Sequence, residues 1–201
     1  MLKPLSVSRP HFRTDGLLTR QLIRARLAAA LALVPRGARV LDLGCGLSDL
    51  AARLPSYVGC DRWPEILVEN RRHHPEARFL AWDVLASEPP DEVRAAGPFD
   101  VVLMLALLEH LSDPAAALRR AASLLAPSGR VVVTTPHPLG HAPLEAGAAL
   151  GLLSRHAAEE HNALLSREAL EAAGAAAGLR LASYRRFLFG LNQLAAFERA
   201  A

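Results

Sequence analysis

The feature that most constrains the fold is a short, mostly apolar segment that ends in two closely spaced glycines. Residues 39–43 read Arg-Val-Leu-Asp-Leu, and Gly44 and Gly46 follow almost directly. The pattern predicts a strand, a tight turn over 44–48 and a helix over 49–54, because glycine adopts backbone conformations that side chains exclude. Such a turn brings the backbone close to a ligand, and the helix amides beyond it can bind a carboxylate or phosphate. A glycine pair alone is equally compatible with a simple turn.

The remainder of the chain alternates segments typical of strands and of helices. The run at 99–105, which is apolar except for Asp100, predicts a central strand that is buried on both faces of a parallel sheet. Alternation at this spacing predicts right-handed βαβ units, whose ligands bind beyond the carboxyl ends of the strands. The sequence therefore predicts a single doubly wound α/β domain. Further strands are predicted at 57–60, 78–81, 130–135, 180–184 and 193–198, and helices at 17–34, 64–73, 113–126 and 166–177.

Length and composition limit the chain to one globular domain. Its 201 residues are enough to bury roughly 70% of the surface of the unfolded chain. Since 51% of the residues are hydrophobic and 21% are charged, a disordered or fibrous protein is excluded. We divide the chain into an N-terminal arm and helix at 1–36 and a domain at 37–201, with a lid-like insertion at about 136–165.

The cysteines and the apolar segments indicate a cytoplasmic protein. Cys45 and Cys60 lie in apolar, strand-like surroundings without the spacing of a metal site, so we expect both to stay reduced. No apolar run approaches the roughly 20 residues that a membrane span requires. The first residues also lack the apolar core of a signal peptide.

The beginning of the chain is basic, within a net charge of +3. A basic arm can meet a substrate that carries a phosphate, but it is more often the solvated face of a helix, which is the interpretation we favour. The arginines concerned are Arg9, Arg13, Arg20, Arg24 and Arg26.

Acidic residues stand at the ends of three predicted strands. Asp42 lies near the end of the first strand, Asp61 ends the second, 19 positions later, and Asp83 follows the third. A carboxylate at about this spacing reaches the hydroxyl groups of a ribose in nucleotide-binding sheets. Each aspartate alone can instead cap a helix or carry a solvated charge, but three at one edge of a sheet favour a ligand site.

The residue that follows the glycine turn narrows the choice of ligand. A dinucleotide-binding turn requires a third glycine at position 49, where this chain has Asp49. A carboxylate there would repel a pyrophosphate, whereas it tolerates a cationic ligand such as a sulfonium. The sequence therefore favours S-adenosylmethionine over a dinucleotide.

Five segments of the chain carry a set of motifs in a fixed order. They are VLDLGCG at 40–46, VGCD at 58–61, WD at 82–83, FDVVLMLALLEHLSDP at 99–114 and LLAPSGRVVVTTP at 124–136. Together they resemble the class I S-adenosylmethionine-dependent methyltransferases. The resemblance is to the branch of small-molecule enzymes that share a domain with the ubiquinone and menaquinone methyltransferases, and by register it extends over most of 37–136.

The resemblance implies a Rossmann-like sheet of seven strands, with the last strand antiparallel, and it implies contacts for each part of the cofactor. The turn at 44–46 would face the methionine part, and Asp61 would hold the ribose hydroxyls. Asp83 and Val84 would border the adenine, and Leu105 would lie near the methyl group. The candidate cofactor-binding residues are thus Asp42, Gly44, Cys45, Gly46, Asp61, Arg62, Asp83, Val84 and Leu105.

Methyl transfer is a direct displacement at carbon, so the enzyme must mainly align the reacting atoms and exclude water. A hydroxyl acceptor would additionally benefit from a base. Glu109 and His110, which follow the fourth strand, equally suit a structural role. The histidine spacing matches no standard metal site, so we predict no bound metal and expect the insertion to form the acceptor pocket. The candidate bases are Glu109, His110 and His137, with His141, His156 and His161 as further candidates.

We therefore expect methyl transfer to a small molecule or to an intermediate of a lipid or glycan pathway. Two alternatives stay open: an RNA or protein acceptor, which the basic arm would suit, and a non-catalytic partner subunit, suggested by Ser48 where the family usually has glycine. Methylation of nucleic-acid bases is disfavoured, because no cysteine lies near the fourth strand and 105–108 lacks an Asn/Asp-Pro-Pro-aromatic signature.

Overall fold

The structure, a computed structural model that describes residues 19–140 and 164–200, is organised around one sheet of seven strands. The strands are β1 (Arg39–Leu43), β2 (Ser56–Asp61), β3 (Arg78–Ala81), β4 (Phe99–Leu105), β5 (Leu125–Pro136), β6 (Leu179–Phe187) and β7 (Asn192–Arg199). Their spatial order is β3-β2-β1-β4-β5-β7-β6. The first five strands pair in parallel, and β7 is antiparallel to both of its neighbours. The predicted, mostly parallel seven-stranded sheet is confirmed.

Helices cover both faces of this sheet. They are α1 (Thr19–Leu31), α2 (Pro64–His73), α3 (Asp91–Ala96), α4 (Pro114–Ser123) and α5 (Arg167–Ala176). On one face Ala30 of α1 packs with Leu103 of β4, and on the other Leu118 of α4 and Leu170 of α5 pack with Val133 of β5. A strand that is buried on both faces has no polar side to alternate with, which explains the apolar run of β4 from Val101 to Leu105.

Two helices begin where their capping residues predict. The side chain of Asp113 accepts a hydrogen bond from the backbone N–H of Ala116 at 2.8 Å, and Ser166 accepts one from Ala169 at 3.2 Å. Both side chains satisfy an amide that the first turn of a helix leaves without an intrahelical partner. Because Asp113 begins α4, it fixes where the segment after β4 ends.

Two local predictions are wrong, and one helix is missed. No helix forms over 49–54, where one Leu54 N–H to Leu50 O bond closes a single turn before Pro55 stops it. Helix α4 ends at Ser123 and strand β5 starts at Leu125, whereas the sequence predicts a helix to 126 and a strand from 130. Helix α3 was not predicted, because its six residues are too few to show a helical period.

The carboxyl ends of the parallel strands meet at one edge of the sheet. Leu43, Asp61 and Leu105 are the last residues of β1, β2 and β4, and Asp83 lies just beyond β3. Within the described ranges, no helix is long and apolar enough to cross a membrane. The edge formed by these strand ends is where the candidate site lies.

Candidate active site

A groove with two lobes lies along the carboxyl edge of the sheet. The first, here the indole lobe, has a volume of about 190 Å³, and its lining includes Trp63 and Trp82. The second, here the arginine lobe, has a volume of about 230 Å³ and is lined in part by Arg26. Gly44 and Ala106 line both lobes, so the two meet there. Together they reach the size of a small-molecule site, roughly 300–1,000 Å³.

All of the predicted cofactor-binding residues line this groove. Four of them line only the indole lobe, namely Asp61, Arg62, Asp83 and Val84. Gly44 lies where the lobes meet, and the arginine lobe contains Asp42, Cys45, Gly46 and Leu105. The fold therefore gathers into one groove residues that lie up to 63 positions apart in the sequence, from Asp42 to Leu105.

The glycine turn passes close to the opposite wall of the groove. Gly44 and Gly46 have φ angles of +67° and +53°, in the left-handed region that favours glycine. A Cβ atom at position 44 would lie 2.7 Å from Cδ1 of Leu107. Glycine at this position therefore keeps open the passage between the lobes. The groove is therefore continuous between the lobes, as a nucleoside with an amino-acid tail requires.

Asp61 fastens the glycine turn to the end of β2. Its Oδ2 accepts a hydrogen bond from the N–H of Gly46, and its Oδ1 accepts one from the N–H of Trp63, both at 3.0 Å. Each carboxylate oxygen can accept more than one hydrogen bond, so Asp61 retains acceptor capacity toward the groove. The side chain is thus both a loop anchor and a buried part of the lining.

Asp83 also combines a structural contact with a place in the lining. Its Oδ1 accepts hydrogen bonds from the N–H groups of Leu85 at 3.0 Å and Ala86 at 3.2 Å. The indole N–H of Trp82 donates to the carbonyl of Ser87 at 3.2 Å, which holds the same loop. Asp83 therefore closes a turn at 84–86 rather than capping a helix, and it also lies in the groove lining.

The carboxyl group of Asp42 is buried beneath the arginine lobe. Burial, and to a lesser extent the negative charge of Asp61, raise the pKa of Asp42 to about 7. A hydrogen bond from the Tyr57 hydroxyl, at 2.8 Å, opposes this rise because it stabilises the ionised form. The pKa of Asp42 thus lies where small changes in its surroundings alter its charge near neutral pH.

Arg26 lines the arginine lobe and is largely buried, so the predicted solvated helix face is wrong for this arginine. It lies on α1, and its Nε donates a hydrogen bond to Oδ1 of Asn192 at 2.9 Å. Burial lowers the pKa of Arg26, while the negative charge of Glu109 raises it. The sequence does indicate this placement, because Arg26 lies four residues from both Leu22 and Ala30 and therefore falls on the apolar face of the helix.

The candidate bases occupy three different environments. Glu109 is buried, and among the described residues neither carboxylate oxygen has a hydrogen-bond partner. Glu109 belongs to neither lining, whereas His110 lines the indole lobe. His137 lies at the end of β5, outside both linings, and its Nδ1 accepts from the N–H of Leu139 at 3.1 Å. Burial and the positive charge of Arg186 lower its pKa, which favours the neutral imidazole.

The remaining histidine candidates, His141, His156 and His161, lie outside the described residues, as does most of the insertion at 136–165. Within residues 19–140 and 164–200 no group of three or more His, Cys, Asp or Glu side chains is placed to hold a metal ion. Cys45 and Cys60 are free thiols in this part of the chain.

Comparison with known sequences gives one family and a group of relatives. A family model described as a methyltransferase domain matches residues 15–184. The ubiquinone biosynthesis O-methyltransferase of Xanthomonas axonopodis pv. citri (strain 306) is 40% identical over 107 residues, which are 51% of this chain and 45% of that protein. Its counterpart in Xylella fastidiosa (strain M23) is 39% identical over 49% of this chain and 42% of that protein. The chain thus spans less than half the length of these relatives.

Solved structures share the fold at low sequence identity. The magnesium protoporphyrin IX methyltransferase ChlM of Synechocystis PCC 6803, solved with bound S-adenosylhomocysteine, gives a TM-score of 0.62 at 20% identity, covering 90% of this chain and 83% of that one. An S-adenosylmethionine-dependent methyltransferase of Mesorhizobium loti gives 0.68 at 18% identity, covering 87% and 98%. At these identities the similarity establishes the fold.

Proposed function

We propose that this chain, which belongs to the class I S-adenosylmethionine-dependent methyltransferases, transfers the methyl group of that cofactor to a small-molecule acceptor. The observation that carries the proposal is the two-lobed groove, in which the predicted cofactor residues meet around the glycine turn. The relatives named ubiquinone biosynthesis O-methyltransferases support a small acceptor that is methylated at oxygen.

The two lobes differ in a way that suits the two ends of the cofactor. We assign the nucleoside to the indole lobe, where Asp61 offers carboxylate acceptors to ribose hydroxyls and Val84 borders the adenine. We assign the amino-acid end to the arginine lobe. There the guanidinium of Arg26 suits the carboxylate and the carboxyl of Asp42 suits the ammonium group. Asp49, in the same lobe, disfavours a phosphate.

When bound, S-adenosylmethionine supplies an electrophilic methyl group on a sulfonium. The chain contributes position and exclusion of water, and Leu105, Ala106 and Leu107 form an apolar wall where the lobes meet. For a hydroxyl acceptor we propose His110 or His137 as the proton acceptor. Because Glu109 is buried and interacts with Arg26, we assign it a positioning role. The insertion at 136–165 stays a predicted cover of the acceptor pocket.

The first test is isothermal titration of the chain with S-adenosylmethionine and S-adenosylhomocysteine, with NAD as the control ligand. We expect both sulfur ligands to bind and NAD not to bind, because Asp49 disfavours a pyrophosphate. Formation of S-adenosylhomocysteine with phenolic and amine acceptors would then separate transfer to oxygen from transfer to nitrogen. Failure of both sulfur ligands to bind would overturn the proposal.

Replacement of Asp61 by alanine is expected to weaken binding of S-adenosylhomocysteine by about tenfold or more, the effect of losing a charged hydrogen-bond acceptor. The substitution removes the proposed ribose contact and also releases the N–H groups of Gly46 and Trp63. Asp100→Ala is the matched control, since that carboxylate also accepts from a backbone N–H, of Arg39, but lies at the opposite edge of the sheet. Equal affinities of Asp61→Ala and the unmodified chain would refute the assignment.

A further inference from the structure

Three buried polar side chains lie together beneath the glycine turn. The hydroxyl oxygen of Tyr57 is 2.8 Å from Oδ2 of Asp42 and 2.9 Å from Oγ of Ser48. Asp42, Ser48 and Tyr57 are 3%, 7% and 4% exposed. Buried polar groups of this kind are costly unless they are hydrogen-bonded, so their mutual contacts matter for the local structure.

One hydrogen on the phenol must serve two neighbours. When Asp42 is ionised, the Tyr57 hydroxyl donates to the carboxylate, because a charge-assisted bond is the stronger one. The Ser48 hydroxyl, whose Oγ accepts from the N–H of Leu50 at 3.3 Å, can then donate its own hydrogen either to the phenol oxygen or to Asp42. Each of the three side chains therefore satisfies another, and removal of one leaves a buried group without its partner.

Ser48 links the three buried side chains to the glycine turn. Its N–H donates to Oδ1 of Asn70 at 3.1 Å, and Nδ2 of Asn70 donates to the carbonyl of Gly46 at 2.6 Å. Ser48 does not adopt a positive φ, so its side chain is accommodated without backbone strain. A glycine at position 48 would lack the hydroxyl that reaches Tyr57. The serine that stands where the family usually has glycine thus has a specific hydrogen-bond partner on β2, the hydroxyl of Tyr57.

We propose that Tyr57 and Ser48 are positioning residues that hold Asp42 and the glycine turn in the form that receives the amino-acid end of the cofactor. This inference rests on the proposed function for the identity of the ligand. In this proposal Ser48 contributes to cofactor binding, whereas the hypothesis of a non-catalytic partner subunit was based on the same residue. It also assigns Asp42 a charge that depends on its Tyr57 contact.

The surroundings of Asp42 explain why the hydroxyl matters for its charge. Burial and the negative charge of Asp61 raise the pKa of Asp42, and the thiols of Cys45 and Cys60 lie nearby. Tyr57 and Ser48 are the two groups whose hydrogen bonds lower it. Arg26 and Asp49, from α1 and from the loop after β1, complete the charged lining of the lobe. Without the Tyr57 hydroxyl, Asp42 would ionise at a higher pH.

The test is the pH profile of S-adenosylhomocysteine binding to Tyr57→Phe. The ligand's ammonium group prefers ionised Asp42, so we expect affinity about tenfold weaker at pH 7, a smaller deficit at pH 8.5, and a midpoint displaced to higher pH. Phenylalanine retains the ring, which packs edge-on against Phe79. Tyr184→Phe is the matched control, because that hydroxyl bonds to Gln193 at 2.9 Å, outside the groove, and its profile should equal that of the unmodified chain. Weakening by the same factor at every pH would overturn the proposal.

A double-mutant cycle tests whether the residues act as one unit. Ser48→Ala combined with Tyr57→Phe is expected to bind no more than about twofold more weakly than Tyr57→Phe alone, because coupled partners give non-additive effects. Fully additive effects would contradict the proposal. Where Tyr57→Phe fails to fold, as judged by circular dichroism, the pH profile of Ser48→Ala provides the same test.

A measurement without ligand separates this inference from the proposed function. The free energy of unfolding in urea should fall with rising pH until Asp42 ionises, and in Tyr57→Phe that fall should extend to higher pH. If the unmodified chain binds neither sulfur ligand but the two stability profiles differ in this way, the proposed function fails. The coupling among Asp42, Ser48 and Tyr57 is then still supported. Superimposable stability profiles would contradict the inference that the Tyr57 hydroxyl controls the ionisation of Asp42.

Discussion

Valine in place of Gly44 is expected to weaken binding of S-adenosylhomocysteine by at least about a hundredfold. The φ angle of +67° at this position is strongly disfavoured for a β-branched side chain. In addition, the new Cβ would lie 2.7 Å from Cδ1 of Leu107, in the passage where the two lobes meet. Because Leu107 can move, the main loss comes from the side chain that then occupies the groove and from the altered turn.

Isothermal titration of Gly44→Val measures this loss, and Gly178→Val separates it from backbone strain. Gly178 has a φ angle of +74° and no atom within 4 Å of an added Cβ, and it lies at the end of α5, outside the groove. Gly178→Val should lower the free energy of unfolding and leave binding unchanged. If Gly44→Val binds as well as the unmodified chain, the backbone does not approach the ligand at this turn.

Features that depend on neighbouring residues could be predicted from the sequence. Asp113 and Ser166 begin α4 and α5 as expected, because a side-chain acceptor and the following amides act over a few residues. The apolar run of β4 identified the central strand, since only a strand buried on both faces lacks polar alternation. Parallel strands also share one carboxyl edge, which is why Asp61 and Asp83 could be placed in the same groove before the structure was known.

Features that depend on distant contacts could not be predicted in the same way. Arg26 reaches Asn192, 166 positions away, and that contact brings its guanidinium to the arginine lobe. The burial of Glu109 likewise depends on tertiary packing rather than on its neighbours in the sequence. The helix expected at 49–54 failed for a local reason, because Pro55 leaves too few residues to continue the turn at Leu50.

Replacement of Asp42 by asparagine is expected to remove a pH-dependent loss of stability. The folded chain holds the Asp42 proton up to about pH 7, whereas an ordinary aspartate loses it near pH 3.8. Between these values the folded state binds more protons than the unfolded state, so the free energy of unfolding falls as the pH rises. For this group the fall amounts to about 2 kcal/mol between pH 5 and pH 7. Asparagine stays neutral and can still accept from Tyr57.

Urea unfolding at pH 5, 6 and 7 tests this expectation directly. The difference in stability between Asp42→Asn and the unmodified chain should grow in favour of the variant by about 2 kcal/mol across this range, whatever its value at pH 5. Asp113→Asn is the matched control, because asparagine also caps a helix and position 113 lies outside the groove. A difference that stays constant from pH 5 to pH 7 would mean that Asp42 is already ionised at pH 5. Asp42, held by its contacts with Tyr57 and Ser48, would then carry a negative charge throughout this pH range. The pH dependence that we expect for cofactor binding would not be observed.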